Sequence, residues 1–93
     1  MASIRSIKKD IDYLVSEVIS DSYLTIYFHP EKKEQAVKVM EEAVTLRNNL
    51  VSRANNPAEK NNQHLVRRHY GKLRSDLLEG VDSLFNKLSE ICK

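Results

Sequence analysis

Glycine, proline and cysteine are scarce in this sequence, and each shortage excludes a class of protein. The 93 residues include two glycines, two prolines and one cysteine. Sheet-rich folds need many turns, which consume glycine and proline, so their scarcity favours a few long helices. The single cysteine, Cys92, cannot form an internal disulfide, whereas small secreted domains usually carry an even number. We therefore expect an all-α protein of the reducing cytoplasm.

Long hydrophobic runs and a strong net charge are also missing. No run approaches the length of a membrane span and no apolar signal-peptide core is seen, so we expect no membrane partner. Fifteen basic and 13 acidic residues give a net charge of +2, which alone does not indicate a nucleic-acid partner. The 41% apolar and 30% charged residues that are present suit one globular domain spanning 1–93.

Apolar residues recur at three- and four-residue steps in three segments, which is the spacing of one face of an α-helix. The segments predict helices at Ser3–Phe28, Glu31–Ala54 and Pro57–Ile91. Asn56-Pro57-Ala58-Glu59 resembles a helix start, with a capping side chain, a proline in the first turn and a capping-box glutamate. Short links between the segments predict an antiparallel three-helix bundle with a long third helix.

One segment has a mixed pattern. Tyr23–Phe28 is rich in residues that favour strands, and the polar trio Ser20–Ser22 precedes it. A hinge at the trio followed by an extended stretch is one interpretation. A continuous helix is the favoured one, because a lone strand would leave its backbone groups unpaired.

Two apolar surfaces lack an obvious cover in this bundle. The third helix is longer than its neighbours by roughly ten residues, and Tyr13, Leu24 and Phe28 project away from the main apolar stripe of the first helix. Each large side chain left in water forgoes roughly 1.5–3 kcal/mol. Either the chain bends at Ser20–Ser22 and covers these groups itself, or a homodimer or another protein partner covers them. The predicted interface residues are Tyr13, Leu24, Tyr27, Phe28, Leu84, Phe85 and Leu88.

Arg47 is unusual because it falls within the apolar stripe of the second helix. Burying an unpaired guanidinium is prohibitive, so a buried arginine needs a carboxylate. Alternatively, its charged end extends outward to solvent, or it anchors a partner or ligand. We expect a buried ion pair, with Asp21 or Asp76 as the candidate carboxylates.

The remaining polar residues give weak signals. His64 and His69 are five residues apart and point about 140° from each other, which does not suit a pair of metal ligands. The basic residues of the third helix could contact phosphates, although acidic residues follow on much the same side. These candidate phosphate contacts are Arg67, Arg68, Lys72 and Arg74.

No catalytic or cofactor motif is present, so we expect no cofactor and no enzymatic activity. The sequence predicts a helical protein–protein interaction module, and the simplest partner is a second copy of the chain. The alternative is a nucleic-acid-binding domain that uses the basic face of the third helix.

The runs Ile7–Leu14, Tyr27–Lys33 and Asn56–Lys60 resemble a small bacterial family of all-helical proteins with no assigned function. The resemblance covers most of the chain. It implies a helical fold and assigns no activity, cofactor, partner or site residue.

Overall fold

The computed structural model of the chain describes residues 4–56 and 63–93. They form α1 (Ile4–Phe28), a 3-10 turn (Pro30–Lys32), α2 (Lys33–Asn55) and α3 (Gln63–Ile91), with no strand in these two ranges. The predicted three-helix fold is confirmed. The predicted start of the third helix at 57–59 lies outside the described residues, and so does its capping box.

Side-chain pairs show that α2 runs antiparallel to α3. Arg53 near the end of α2 pairs with Asp76 in the first half of α3 at 2.8 Å. Glu42 in the first half of α2 pairs with Lys87 near the end of α3, also at 2.8 Å. Residue numbers fall along α2 as they rise along α3, so the two helices run in opposite directions.

The first and third helices run in the same direction. Asp10 near the start of α1 lies 3.1 Å from Arg74 in the first half of α3. The Thr25 hydroxyl near the end of α1 lies 3.7 Å from the Cys92 sulfur just beyond α3. The C-terminal ends of α1 and α3 therefore lie together. The molecule is a rod of 51 × 18 × 17 Å.

The first helix is continuous, and its polar trio does not form a hinge. Ser22 is fully buried, and its hydroxyl donates a 2.8 Å hydrogen bond to the Val18 carbonyl. The Thr25 hydroxyl donates likewise to the Asp21 carbonyl at 2.9 Å. Short polar side chains can occupy a buried helix face when they bond to the carbonyl four residues earlier. Ser22 and Thr25 thus continue the buried stripe that the apolar residues begin.

The third helix is the longest of the three in the described part, as predicted, with 29 residues against 25 in α1 and 23 in α2. The predicted overhang at its C-terminal end is wrong. The Lys32 ammonium donates to the Ile91 carbonyl at 2.6 Å, so α2 begins level with the end of α3. Leu84 and Leu88 are consequently only 5% and 4% exposed, in the chain's own core, and the expectation that they lack cover is wrong.

Gly80 allows α2 and α3 to approach closely. A Cβ atom at this position would lie 2.8 Å from a methyl carbon of Leu46, closer than side chains pack. The glycine weakens the helix by roughly 1 kcal/mol relative to alanine. Leu46 occupies the space that the missing side chain leaves.

At the end of the rod where α3 begins, polar contacts attach α3 to the end of α2. The Tyr70 hydroxyl donates to the Ala54 carbonyl at 3.3 Å, and the His69 Nε2 atom lies 2.8 Å from the Arg53 carbonyl. Burial raises the pKa of the Tyr70 phenol above its ordinary value. Across 4–56 and 63–93, no helix combines the length and apolar character that a membrane crossing requires.

Candidate interaction surface

A groove of about 400 Å³ opens between the C-terminal ends of α1 and α3. Its apolar walls come from Leu24 and Phe28 on α1 and from Phe85 and Leu88 on α3. They converge because α1 and α3 run in the same direction and end at the same level. Five further residues complete the lining: Asp21, Thr25, His29, Ser89 and Cys92.

The rim of this groove leaves large apolar side chains in solvent. Leu24, Tyr27 and Phe28 are 54%, 79% and 68% exposed. The rings of Tyr27 and Phe28 pack edge to face with centroids 5.1 Å apart. Tyr23, one turn earlier, is also exposed. Such a concentration at one end is typical of an interaction site rather than of scattered surface residues.

The structure brings most of the predicted interface residues together. Leu24, Phe28, Phe85 and Leu88 line the groove, and Tyr27 contacts Phe28 at its rim. Leu84 does not line the groove. Leu88 lines it but is only 4% exposed, so it contributes to the floor rather than to the exposed rim.

Tyr13 is exposed but lies eleven residues before Leu24, or about 16 Å along α1. Eleven residues make three turns, so Tyr13 and Leu24 share one side of the helix. Tyr13 therefore belongs to the same face of α1 without reaching the groove.

The polar groups of the groove do not form a reactive pair. Cys92 and His29 both line it, but the Cys92 sulfur contacts the Thr25 hydroxyl and the His29 Nδ1 atom lies 3.6 Å from the Glu31 carboxylate. Within the described ranges, no three histidine, cysteine or acidic side chains are placed to hold a metal ion. The arrangement suits the binding of an apolar surface.

A second apolar strip lies on α2. Val37, Met40 and Val44 line a shallow depression of about 480 Å³, and Val44 is exposed. Val44 has the apolar character of a core residue but lies outside the core. The core-facing residues of α2 are Ala36, Val39, Ala43, Leu50 and Ala54.

Arg47 forms an ion pair, but not the predicted one. Its Nε atom donates to the Asp12 carboxylate at 2.8 Å, and the two side chains are 43% and 56% exposed. The pair is therefore not buried, and neither Asp21 nor Asp76 takes part in it. Asp76 instead pairs with Arg53. An ion pair this exposed contributes about 0.2–1 kcal/mol, and Arg47 lines neither the groove nor the α2 strip.

The basic residues of α3 divide into two groups. Arg74 is paired with Asp10. Arg67, Arg68 and Lys72 are exposed, and in the described part of the chain they form no ion pair. These three side chains are free to contact an external anion.

The comparisons with known proteins give no relative for this surface. No protein-family model matches the chain. No curated protein matches it. No solved structure matches it. The resemblance to a helical bacterial family stays a prediction.

Proposed function

We propose that the protein is a non-enzymatic helical module that self-associates through the groove between α1 and α3. The observation that carries the proposal is the convergence of Leu24, Phe28 and Phe85 around one opening, with Tyr27 exposed beside it. Removing such side chains from water is worth roughly 1.5–3 kcal/mol each. The core leaves Leu24, Tyr27 and Phe28 exposed and Phe85 only partly buried, so association is the remaining way to gain that energy.

The proposal also places the protein in the cytoplasm, where an exposed thiol such as Cys92 stays reduced.

The direct test is the molar mass in solution, measured by light scattering over a concentration series. We expect a dimer for the native protein and a monomer for Phe28→Lys. A lysine at a helix C-terminus is compatible with the helix dipole, so this variant should stay folded. Loss of an aromatic anchor at an interface typically weakens binding by about 30-fold or more.

Val44→Lys is the matched control, because Val44 is an exposed apolar residue on the α2 strip. It should leave the dimer intact. A native monomer at all concentrations overturns the proposal. Dissociation by Val44→Lys but not by Phe28→Lys would move the interface to α2.

Nucleic-acid binding is a second candidate function, supported by the three unpaired cations Arg67, Arg68 and Lys72. Binding through them would weaken steeply with salt, because phosphate contacts release counterions. Fluorescence anisotropy with labelled duplex DNA and RNA at low salt tests this candidate. Lack of binding at micromolar protein would remove it, and Arg67→Ala/Arg68→Ala should abolish any binding that is seen.

A further inference from the structure

Gly71 is a helix-interior glycine that no contact among the described residues explains. In the ranges 4–56 and 63–93, a Cβ atom built there meets no atom within 4 Å, whereas one at Gly80 would meet Leu46. A glycine in a helix is unfavourable relative to alanine, because it adds backbone freedom to the unfolded chain. Gly71 is exposed in the middle of the first half of α3. A surface approaching from outside the chain would account for it.

Gly71 lies on the side of α3 that borders the groove. Gly71, Leu78, Phe85 and Cys92 are spaced by seven residues, and a helix turns back to within about 20° of the same direction every seven residues. Phe85 and Cys92 line the groove beside α1, and Leu78 is exposed. Over three such steps the drift adds up to about 60° between Gly71 and Cys92. The four residues therefore form one seam that winds slowly around α3, apolar at the groove and open at Gly71.

Charge is unevenly distributed along the rod. The end that contains the starts of α1 and α3 carries nine basic and three acidic residues, a net charge of +6. The opposite end carries five basic and nine acidic residues, a net charge of −4. The ranges counted are 4–15, 47–56 and 63–77 for the basic end, and 16–46 and 78–93 for the acidic end. Two copies placed with the same ends together would repel each other, and two copies placed in opposite directions would attract.

We infer that a second copy packs antiparallel over the face formed by α1 and α3, with α3 against α3 of the partner subunit. This inference rests on the proposed self-association and adds its orientation and register. A two-fold axis between residues 81 and 82 places Gly71 against the partner's Cys92 and Leu78 against the partner's Phe85. The exposed leucine then covers the phenylalanine of the groove, and the glycine leaves room for the end of the partner helix.

Disulfide cross-linking tests the register, because two thiols join only when their Cα atoms come within about 7 Å. Three proteins are treated with diamide, which accepts the two hydrogens that the thiols lose. They are the native protein, Gly71→Cys, and Gly71→Cys/Cys92→Ser. Only Gly71→Cys should give a covalent dimer, and peptide mapping should join the introduced thiol to Cys92.

Three other outcomes would overturn the antiparallel register, and a fourth would overturn the proposed function. A covalent dimer of the native protein through Cys92 alone would show two grooves packed on each other, and would overturn the antiparallel register. A covalent dimer of the double variant would bring the Gly71 positions together, with the same consequence. No cross-link, in a protein that light scattering shows to be a dimer, would also overturn it. A native monomer would mean that the proposed function itself has failed.

A second measurement separates the role of Gly71 in the helix from its role at the interface. Gly71→Ala should raise the melting temperature of the dilute monomer, because nothing inside the chain opposes the added methyl group. Gly71→Leu should weaken the dimer by about tenfold or more, because the bulk blocks the approach of the partner helix. An unchanged dissociation constant for Gly71→Leu contradicts the inference. Added salt should weaken the native dimer; if salt strengthens it, like-charged ends are in contact and the orientation is wrong.

Discussion

At one end of the bundle, polar contacts attach the start of α3 to the end of α2. At the other end, the last turn of α1 leaves apolar rings in solvent beside a groove shared with α3. The first end has the Tyr70 and His69 contacts and the Arg53–Asp76 pair. The second has Phe28 and Phe85 around a groove. The polar end therefore satisfies its own groups, while the apolar end leaves large side chains exposed.

The largest loss of unfolding free energy should come from truncating a side chain in the core that both ends share. Leu77 is almost completely buried, and Leu77→Ala should cost about 2–5 kcal/mol because it removes buried methyl groups and leaves a cavity. Leu78, the next residue, is more than half exposed. Urea unfolding of the dilute protein should show a change of less than about 0.5 kcal/mol for Leu78→Ala. Equal losses for the two variants would contradict the side assigned to each residue.

An intermediate effect is expected at the polar end. Tyr70→Phe removes the hydrogen bond to the Ala54 carbonyl and should cost about 0.5–1.5 kcal/mol at pH 7. The raised pKa of the Tyr70 phenol means that the folded state holds this proton more tightly than the unfolded state. The native protein should lose this contribution as the pH rises above about 10. Unfolding curves at pH 7 and pH 11 should therefore show a smaller advantage of tyrosine at pH 11, and a constant difference would contradict the assignment.

The smallest effect is expected beside the groove. Thr25→Val keeps the shape of the side chain and removes the hydroxyl that bonds to the Asp21 carbonyl. That carbonyl is also the acceptor for a backbone N–H in an α-helix, so the loss should stay below about 0.5 kcal/mol. Thermal unfolding of the two proteins measures the difference. A loss above about 1 kcal/mol would mean that polar contacts stabilise the apolar end as well.

The sequence predicted the helices and most of the core, because both follow from periodicity within one helix. It missed Ser22 and Thr25, since a rule based on apolar residues ends the stripe where the first polar residue occurs. The 3-4 spacing continues from Val18 to Ser22 and Thr25, so spacing alone could have found them. The carbonyl hydrogen bonds that make their burial possible are visible only in the structure.

The part of the candidate site that depends on relations between helices could not be read from the sequence. Arg47 pairs with Asp12 because the 3-10 turn sets the register of α1 against α2. The groove residues Leu24, Phe28 and Phe85 could be selected as apolar side chains away from the main stripes. Excluding Leu84 from that set required knowing that α2 begins level with the end of α3 and so covers this leucine.

The elongated shape has a practical consequence for measuring the assembly. The radius of gyration is 15.2 Å, and a compact globular protein of that radius would contain about 160 residues. A gel-filtration column reports hydrodynamic size, so a single 93-residue rod should elute earlier than a compact protein of the same mass. An early elution peak is therefore no sign of pairing for this chain, and only methods that weigh the particle can count its subunits.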